Sequence, residues 1–363
     1  MKCDRELSFY DYPLPREYVA QHPLPRRDAS RLMVLYRDLV KLEHRHFWDL
    51  PEYLREGDLL VLNNSRVLPT RLVGKRSTGG RVKLLLIEEV RDPASGEHAN
   101  GSGRWRVILE ARAKLREGEK LDIEEGILHG HLISSPPNAS SGKWVIQLEP
   151  RENVRDILER VGRMPLPPYI KRPLEKDSYF LQDRERYQSV VATQPGSIAA
   201  PTASLHFTTE LLQEISQKGV EIIYVTLHVG LGTFLPIRSS DITRHTMEKE
   251  YYSIDPEALR RLKETKRRGG RIIAVGSTSL RVLETVAAQG EPAPYCGWTN
   301  LFIHPPYKFK MADALLTNFH LPRSTLLVLV SAFAGRERML QAYSIAKEEG
   351  YRFYSYGDAM LIL

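Results

Sequence analysis

The chain has 363 residues, 42 % of them hydrophobic and 27 % charged, with 52 Lys and Arg against 45 Asp and Glu for a formal net charge of +7. That length exceeds one ordinary domain, and the composition excludes disordered and fibrous classes. The mild basic excess permits a polyanionic partner without requiring one. The two cysteines, Cys3 and Cys296, exclude a disulfide framework and a cysteine-built zinc site. The first ten residues mix charges of both signs, unlike a signal peptide. The longest near-continuous apolar stretch, 326–335, falls short of the roughly 20 residues of a membrane span. A cytoplasmic protein without a membrane segment is expected.

In chain order, an extended 32–36, a helical 47–55 and a strand 59–62 ending in Asn63-Asn64-Ser65-Arg66 give the first residues an α/β texture. From residue 67 to 150 short alternating runs take over, at 82–87, 105–109, 120–123 and 144–148, separated by Gly, Ser, Pro and Asn. Thr78-Gly79-Gly80 reads as a hairpin turn and 92–103 as a loop. The pattern predicts an all-β domain over 67–150, inserted into an α/β parent formed by 1–66 and 151–363. Val154, Ile157, Leu158 and Val161 then share one helical face, and the prolines at 165, 167 and 168 force an extended segment. Helix and strand alternate from there to the end. The best-defined helix starts at Asp255-Pro256-Glu257, a cap followed by proline at the first helical position, and stops at Gly269-Gly270.

Three apolar runs in this last part, 222–230, 272–279 and 314–320, read as buried strands that end in small polar clusters. The clusters carry His228, then Gly276-Ser277-Thr278-Ser279, then Asn318 and His320. An α/β enzyme collects functional groups at the carboxyl ends of its strands in this way. The backbone N–H groups of 276–279 open a helix and suit a carboxylate or phosphate, with Ser277 or Ser279 as a simple helix cap the other reading. Arg281 is an anion partner or a surface residue. Gly230 and Gly232, before Thr233, form a Gly-x-Gly whose third glycine is missing, so a dinucleotide fingerprint is not expected and close passage of backbone past a ligand is. The small-residue run 197–207 suits a planar ligand, with Pro201, Thr202, Ser204 and His206 beside it, or a buried crossover. His206, His228 and His320 lack metal-ligand spacing, and no metal is expected. Arg71, Lys75, Arg76, Arg81 and Lys83 crowd the predicted hairpin as candidate phosphate contacts. A second basic group, from Arg260 to Arg271, is explained equally by the dipole of the helix it ends.

The stretches Asp11-Tyr12-Pro13-Leu14-Pro15, 58–72, 164–170, 199–207, 225–236, 274–284, 317–335 and 351–362 resemble the S-adenosylmethionine:tRNA ribosyltransferase-isomerase family of the queuosine pathway, from end to end. The resemblance implies a barrel-like α/β main domain carrying an inserted β-barrel domain. It implies transfer and isomerisation of the ribosyl moiety of S-adenosylmethionine onto 7-aminomethyl-7-deazaguanine (preQ1) at the tRNA wobble position. Epoxyqueuosine-tRNA forms, with adenine and methionine released. The partners implied are preQ1-containing tRNA with a GUN anticodon (the Tyr, His, Asn and Asp acceptors) and S-adenosylmethionine, a consumed substrate, with no cofactor and a monomeric enzyme. Such chemistry needs a base at the ribosyl C5′, a proton donor for adenine and an uncharged aminomethyl group. His228, His320, Glu250 and Asp313 are the candidates. Residues 276–279 suit the methionine carboxylate, 199–206 the purine ring, and Asn63, Asn64 and Arg66 a ribose or phosphate. The chain departs from the family pattern at Glu248, where a histidine is frequent, and at Ser204 and Pro306, where glycine is. An ordinary methyltransferase and a non-catalytic RNA-binding module are the competing readings.

Overall fold

The computed structural model describes residues 3–39, 41–90, 103–134, 143–151, 153–173, 178–230, 232, 236–290 and 295–363. They form two compact units: Met1–Arg66 with Pro167–Lys171 and Arg186–Leu363, and Val67–Leu166 with Arg172–Glu185.

The first unit is built on one nine-stranded mixed sheet. Its strands are β1 (Arg31–Leu35), β2 (Leu42–His46), β3 (Leu59–Asn63), β12 (Glu221–Leu227), β13 (Glu250–Ile254), β14 (Ile272–Val275), β15 (Cys296–Thr299), β16 (Ala314–Asn318) and β17 (Ala359–Ile362), in the spatial order β15-β13-β12-β3-β14-β16-β17-β1-β2. The intervening strands β4 (Ser65–Val67) and β11 (Gln194–Ser197) are short, and the strands between residues 71 and 149 belong to the second unit. The middle four, β12, β3, β14 and β16, run parallel to one another. Their carboxyl ends therefore meet along one edge of the sheet. β13 and β17 run antiparallel to their inner neighbours, so they begin at that same edge, at Glu250 and Ala359.

Both faces of the middle strands are apolar, as a buried parallel sheet requires. On one face Val61, Val225, Ala274 and Leu315 pack with residues of helices α4 (Pro256–Arg267), α5 (Gly276–Gln289), α6 (Thr325–Ala334) and α7 (Arg336–Glu348). On the other, Leu60, Leu62, Val275 and Leu316 pack with α3 (Thr209–Gln217) and the segment Phe47–Tyr53. That helical segment is a 3-10 helix, and it contains Pro51, which has no N–H for an α-helical ladder. Asp255 caps α4 as its sequence predicts, accepting from the Glu257 N–H at 2.8 Å.

The second unit is a closed six-stranded antiparallel barrel in the order β10-β7-β6-β5-β8-β9. Its strands are β5 (Arg71–Arg76), β6 (Arg81–Glu89), β7 (Arg104–Ala111), β8 (Lys120–Ile123), β9 (Leu128–Ser134) and β10 (Lys143–Glu149). The turn between β5 and β6 falls on Thr78-Gly79, with Gly79 at φ +83°. Most of the expected loop at 92–103 lies outside the described residues. The inserted unit starts at Val67, as the sequence suggests, and extends past residue 150. Helix α1 (Val154–Val161) turns Val154, Ile157 and Leu158 into the barrel core, so it belongs to the barrel. The later segment Arg172–Glu185, which carries most of α2 (Phe180–Arg186), returns to the same unit with a buried Arg172–Asp183 ion pair of 2.7 Å.

Candidate active site

A cavity opens at the carboxyl edge of the large sheet. Its lining comes from four places: Ala199 to Ala203, Gly276 to Thr278, Thr317 to His320 without Phe319, and Tyr354 with Ser355. Val229, Leu326 and Tyr169 complete it.

The floor is the first turn of α5. Gly276 sits at φ +84°, which favours glycine, and a Cβ there would lie 3.5 Å from Ala203 Cβ. The residue before it, Val275, has no capping side chain, and neither Ser277 nor Ser279 caps the helix. The N–H groups of this first turn have no intrahelical acceptor, and they carry the positive end of a 14-residue helix. Thr278 Oγ1 and Ser279 Oγ are buried and have no hydrogen-bond partner among the described residues. Such donors are costly to bury unless a ligand completes them.

One wall is held by a chain of hydrogen bonds. Thr202 Oγ1 donates to Asn318 Oδ1 at 2.8 Å, Asn318 Nδ2 donates to His206 Nε2 at 3.0 Å, and His206 Nδ1 lies 2.9 Å from Ser30 Oγ. His206 therefore carries its proton on Nδ1. Burial pushes its pKa down to about 3, with the charges of Arg352 and Arg27 adding to the effect. It is a neutral support that orients Asn318 and does not itself line the cavity. His320 also lies in the lining, with Nε2 at 3.0 Å from Thr317 Oγ1. Its backbone N–H donates to the Tyr343 hydroxyl at 3.0 Å and its carbonyl accepts from Tyr12. Burial pushes His320 down to about 3 as well, so it works as an acceptor or base and not as a standing acid.

Other sequence candidates fall elsewhere. Asp313 precedes β16 and lies at the opposite, amino edge of the sheet. Its oxygens accept from Lys266 Nζ and the Ile272 N–H, each at 2.8 Å, so it is a structural anion remote from the cavity. Glu250 is at the right edge but committed: one oxygen accepts from the Gly230 N–H at 2.9 Å and the other from Arg281. Both members of the Glu250–Arg281 pair are buried, so Arg281 anchors the 228–230 backbone through Glu250. Asn63 clamps the ends of two strands, accepting from the Leu227 and Ser65 N–H groups and donating to the Leu227 carbonyl. Asn64 takes the Thr226 hydroxyl at 2.7 Å, and Arg66 is exposed. Ser204 Oγ is buried without a partner among the described residues but does not line the cavity. Gly232 packs on Glu248, where a Cβ would come within 3.1 Å. Thr233 lies outside the described residues.

His228 ends β12 at the site edge, but its ring lies on the sheet's second face, stacked on Tyr251 at 6.0 Å. Gly196, at φ +142°, passes so close that a Cβ would be 2.9 Å from His228 Cε1. The residues missed in the sequence are aromatic. Tyr354 adopts φ +73°, uncommon for a tyrosine, and its ring meets Tyr169 edge-on at 4.0 Å. Tyr169 in turn bonds Ser355. Their signal was the length of the matching stretches at 164–170 and 351–362; no local pattern marks them.

On the barrel, Lys75 stands directly opposite Arg81 across the β5–β6 pair, and both are exposed with Lys83. Like charges directly opposite destabilise a sheet, and this pair is retained on the outer surface. Lys83 pairs with Glu110 at 3.4 Å on that exposed surface, whereas Arg76 is half-buried, ion-paired with Glu119 and bonded to the carbonyls of Ala113 and Lys114. Among the described residues no group of three or more His, Cys, Asp or Glu is placed to hold a metal ion, and no helix is long and apolar enough to cross a membrane.

Comparison with known proteins decides the family. A model described as queuosine biosynthesis protein matches residues 7–362. The chain belongs to that family. It is 46 % identical over 360 residues to the S-adenosylmethionine:tRNA ribosyltransferase-isomerase of Desulforamulus reducens, covering 99 % of this chain and 100 % of that one. The protein of the same name from Symbiobacterium thermophilum is 49 % identical, covering 98 % and 99 %. Among solved structures, the S-adenosylmethionine tRNA ribosyltransferase of Thermotoga maritima matches with TM-score 0.54 and 38 % identity, covering 98 % of this chain and 100 % of that one. The queuosine family thus has in this chain a mixed α/β unit with an inserted six-stranded β-barrel.

Proposed function

We propose that this chain is an S-adenosylmethionine:tRNA ribosyltransferase-isomerase acting as a cytoplasmic monomer on preQ1-containing tRNA with a GUN anticodon. The observation that carries the assignment to this cavity is the uncapped, buried start of α5 among small residues and unpartnered hydroxyls. The methionine carboxylate of S-adenosylmethionine binds the N–H groups of Ser277 and Thr278, with Thr278 Oγ1 as a further donor. The adenine ring lies along Ala199 to Ala203, and Asn318, held by Thr202 and His206, reads its edge.

The sulfonium acidifies the adjacent C5′ protons. Neutral His320 removes one, and the imidazolium so formed has the proton that departing adenine takes up. His228, at the same strand edge, takes the proton from the aminomethyl group before it attacks. No resident cofactor belongs to this reading, because the activated sulfonium supplies the driving force.

The test is a product assay by mass spectrometry with purified protein, S-adenosylmethionine and preQ1 tRNA. Free adenine, methionine and an epoxycyclopentyl adduct on the wobble base are expected. A methylated nucleoside with S-adenosylhomocysteine would transfer the chain to the methyltransferase reading. His228→Ala should lose turnover and keep tRNA affinity. For tRNA contact by the barrel, the exposed trio Lys75, Arg81 and Lys83 is the sharper choice over Arg76. Changing all three to Gln should reduce the slope of log affinity against log salt by about 2–3. An unchanged slope would move the tRNA elsewhere.

A further inference from the structure

The second face of the large sheet is covered unevenly. Helix α3 and Phe47–Tyr53 pack over β1, β17, β16, β14 and β3, and their cover ends at Ile222 on β12. Beyond that margin the alternation of β12, β13 and β15 turns Val225, Leu227, Tyr252 and Ile254 into the core of the first face. The intervening side chains, Tyr224, Tyr251 and Trp298, therefore stand on the uncovered one. An outer antiparallel face is ordinarily polar. Here Tyr224 is 41 % and Trp298 46 % exposed, and Tyr295 beside β15 is 52 % exposed.

The rings are ordered as a row. Trp298 is paired with Tyr251 across β15 and β13 and meets it edge-on at 5.7 Å. Tyr251 carries the stacked His228 ring at 6.0 Å. The row thus runs without a break from an exposed indole to the strand end that carries His228 and, one residue on, Val229 of the cavity lining. Beside it a groove is lined by the half-buried Asn64 and Ser253, short polar groups of the kind that bond base edges.

We infer that this uncovered face is a stacking platform for unpaired nucleotides of the RNA substrate, with Trp298 and Tyr224 holding bases that flank the one delivered to His228. The inference rests on the RNA-modifying reading above. Enzymes that modify a base in a loop must take it out of its stack, and the neighbours then need new partners. Aromatic side chains on an open sheet provide them, as every base has a π-face, and the contact is tolerant of sequence. Continuity with the candidate active site favours RNA over a second copy of the chain, since a protein partner on this face would close the approach to His228.

The experiment measures the affinity of the full-length enzyme for preQ1 tRNA and for S-adenosylmethionine in Trp298→Ala, Tyr224→Ala and Trp298→Phe. Each changed ring is exposed, and a thermal melt checks that the fold is kept. Both alanine variants should weaken tRNA binding about tenfold, with unchanged S-adenosylmethionine affinity and nearly unchanged kcat at saturating tRNA. Trp298→Phe should restore most of the loss, because the stacking surface returns. Unchanged tRNA affinity in both alanine variants would overturn the inference while leaving the enzymatic reading intact. So would a dimer of the wild type that Trp298→Ala abolishes without touching RNA affinity. Ring-dependent tRNA binding by a wild type that releases no adenine would uphold the platform and refute the reaction.

Discussion

The two edges of the large sheet are made from the same strands and hold their polar groups in opposite ways. At the amino edge three carboxylates are answered from within the chain. Asp58 takes Arg271, Asp313 takes Lys266 and the Ile272 N–H, and Glu221 takes Arg268 at 3.0 Å. At the carboxyl edge the first turn of α5 is uncapped, two hydroxyls beside it have no partner among the described residues, and two histidines are held neutral. A polar cluster that satisfies itself stabilises the fold, whereas one left incomplete is fitted for something outside it. The basic run from Arg260 to Arg271 illustrates the first case. Arg260, Arg261, Arg268 and Arg271 reach Glu257, Glu264, Glu221 and Asp58, so much of its charge is met within the molecule.

The largest effect that tests this contrast comes from the carboxyl edge's own exception. Glu250→Gln leaves buried Arg281 facing a neutral amide and should cost about 3–5 kcal/mol in urea unfolding. A loss under about 1 kcal/mol would mean that the pair does not hold the 228–230 backbone. Acid should come next. His206 and His320 have folded pKa values near 3 against 6.5 unperturbed, so below pH 6.5 the unfolded chain binds protons that the folded one does not. Their contribution is complete above pH 6.5 and is lost as pH falls toward 3, at up to about 1.4 kcal/mol per pH unit for each. Denaturant midpoints between pH 6.5 and 5 should show this slope, and His206→Gln should remove about half of it. A flat profile would place water, and charge, in the cavity.

Asp58→Asn weakens an amino-edge pair and should cost about 1–2 kcal/mol while leaving S-adenosylmethionine affinity unchanged. Thr278→Val should do the reverse. Removing an unpartnered hydroxyl with an isosteric methyl should leave stability within about 0.5 kcal/mol and weaken S-adenosylmethionine binding about tenfold. Titration calorimetry beside denaturant melts separates the two, and an equal response in both variants would erase the distinction between the edges.

The sequence made the strand ends legible because a buried parallel strand is a continuous apolar run, and whatever follows it stands out. Gly276 to Thr278, Asn318 and His320 were visible for that reason, and so was the barrel, whose alternating runs are the outer-polar, inner-apolar code. Four candidates have partners within the chain that residue type and position do not show. Asp313 adjoins a strand start rather than an end, and this placed it at the far edge. Asn63 and Glu250 end or begin strands at the right edge, but their atoms close on neighbouring backbone. Arg76 is bound to a glutamate 43 residues away in the chain. The helix α1 was recognised yet assigned to the wrong unit, since an amphipathic face does not name the core it joins. Tyr354 and Tyr169 were silent because their role depends on a left-handed backbone and a partner distant in sequence.

The central claim is that the uncapped start of α5 receives the carboxylate of S-adenosylmethionine. A crystal structure with S-adenosylmethionine bound tests it most directly. The account predicts the methionine carboxylate within hydrogen-bonding distance of the Ser277 and Thr278 N–H groups, with adenine along Ala199 to Ala203. A carboxylate bound elsewhere, with the first turn of α5 facing only water, would contradict it.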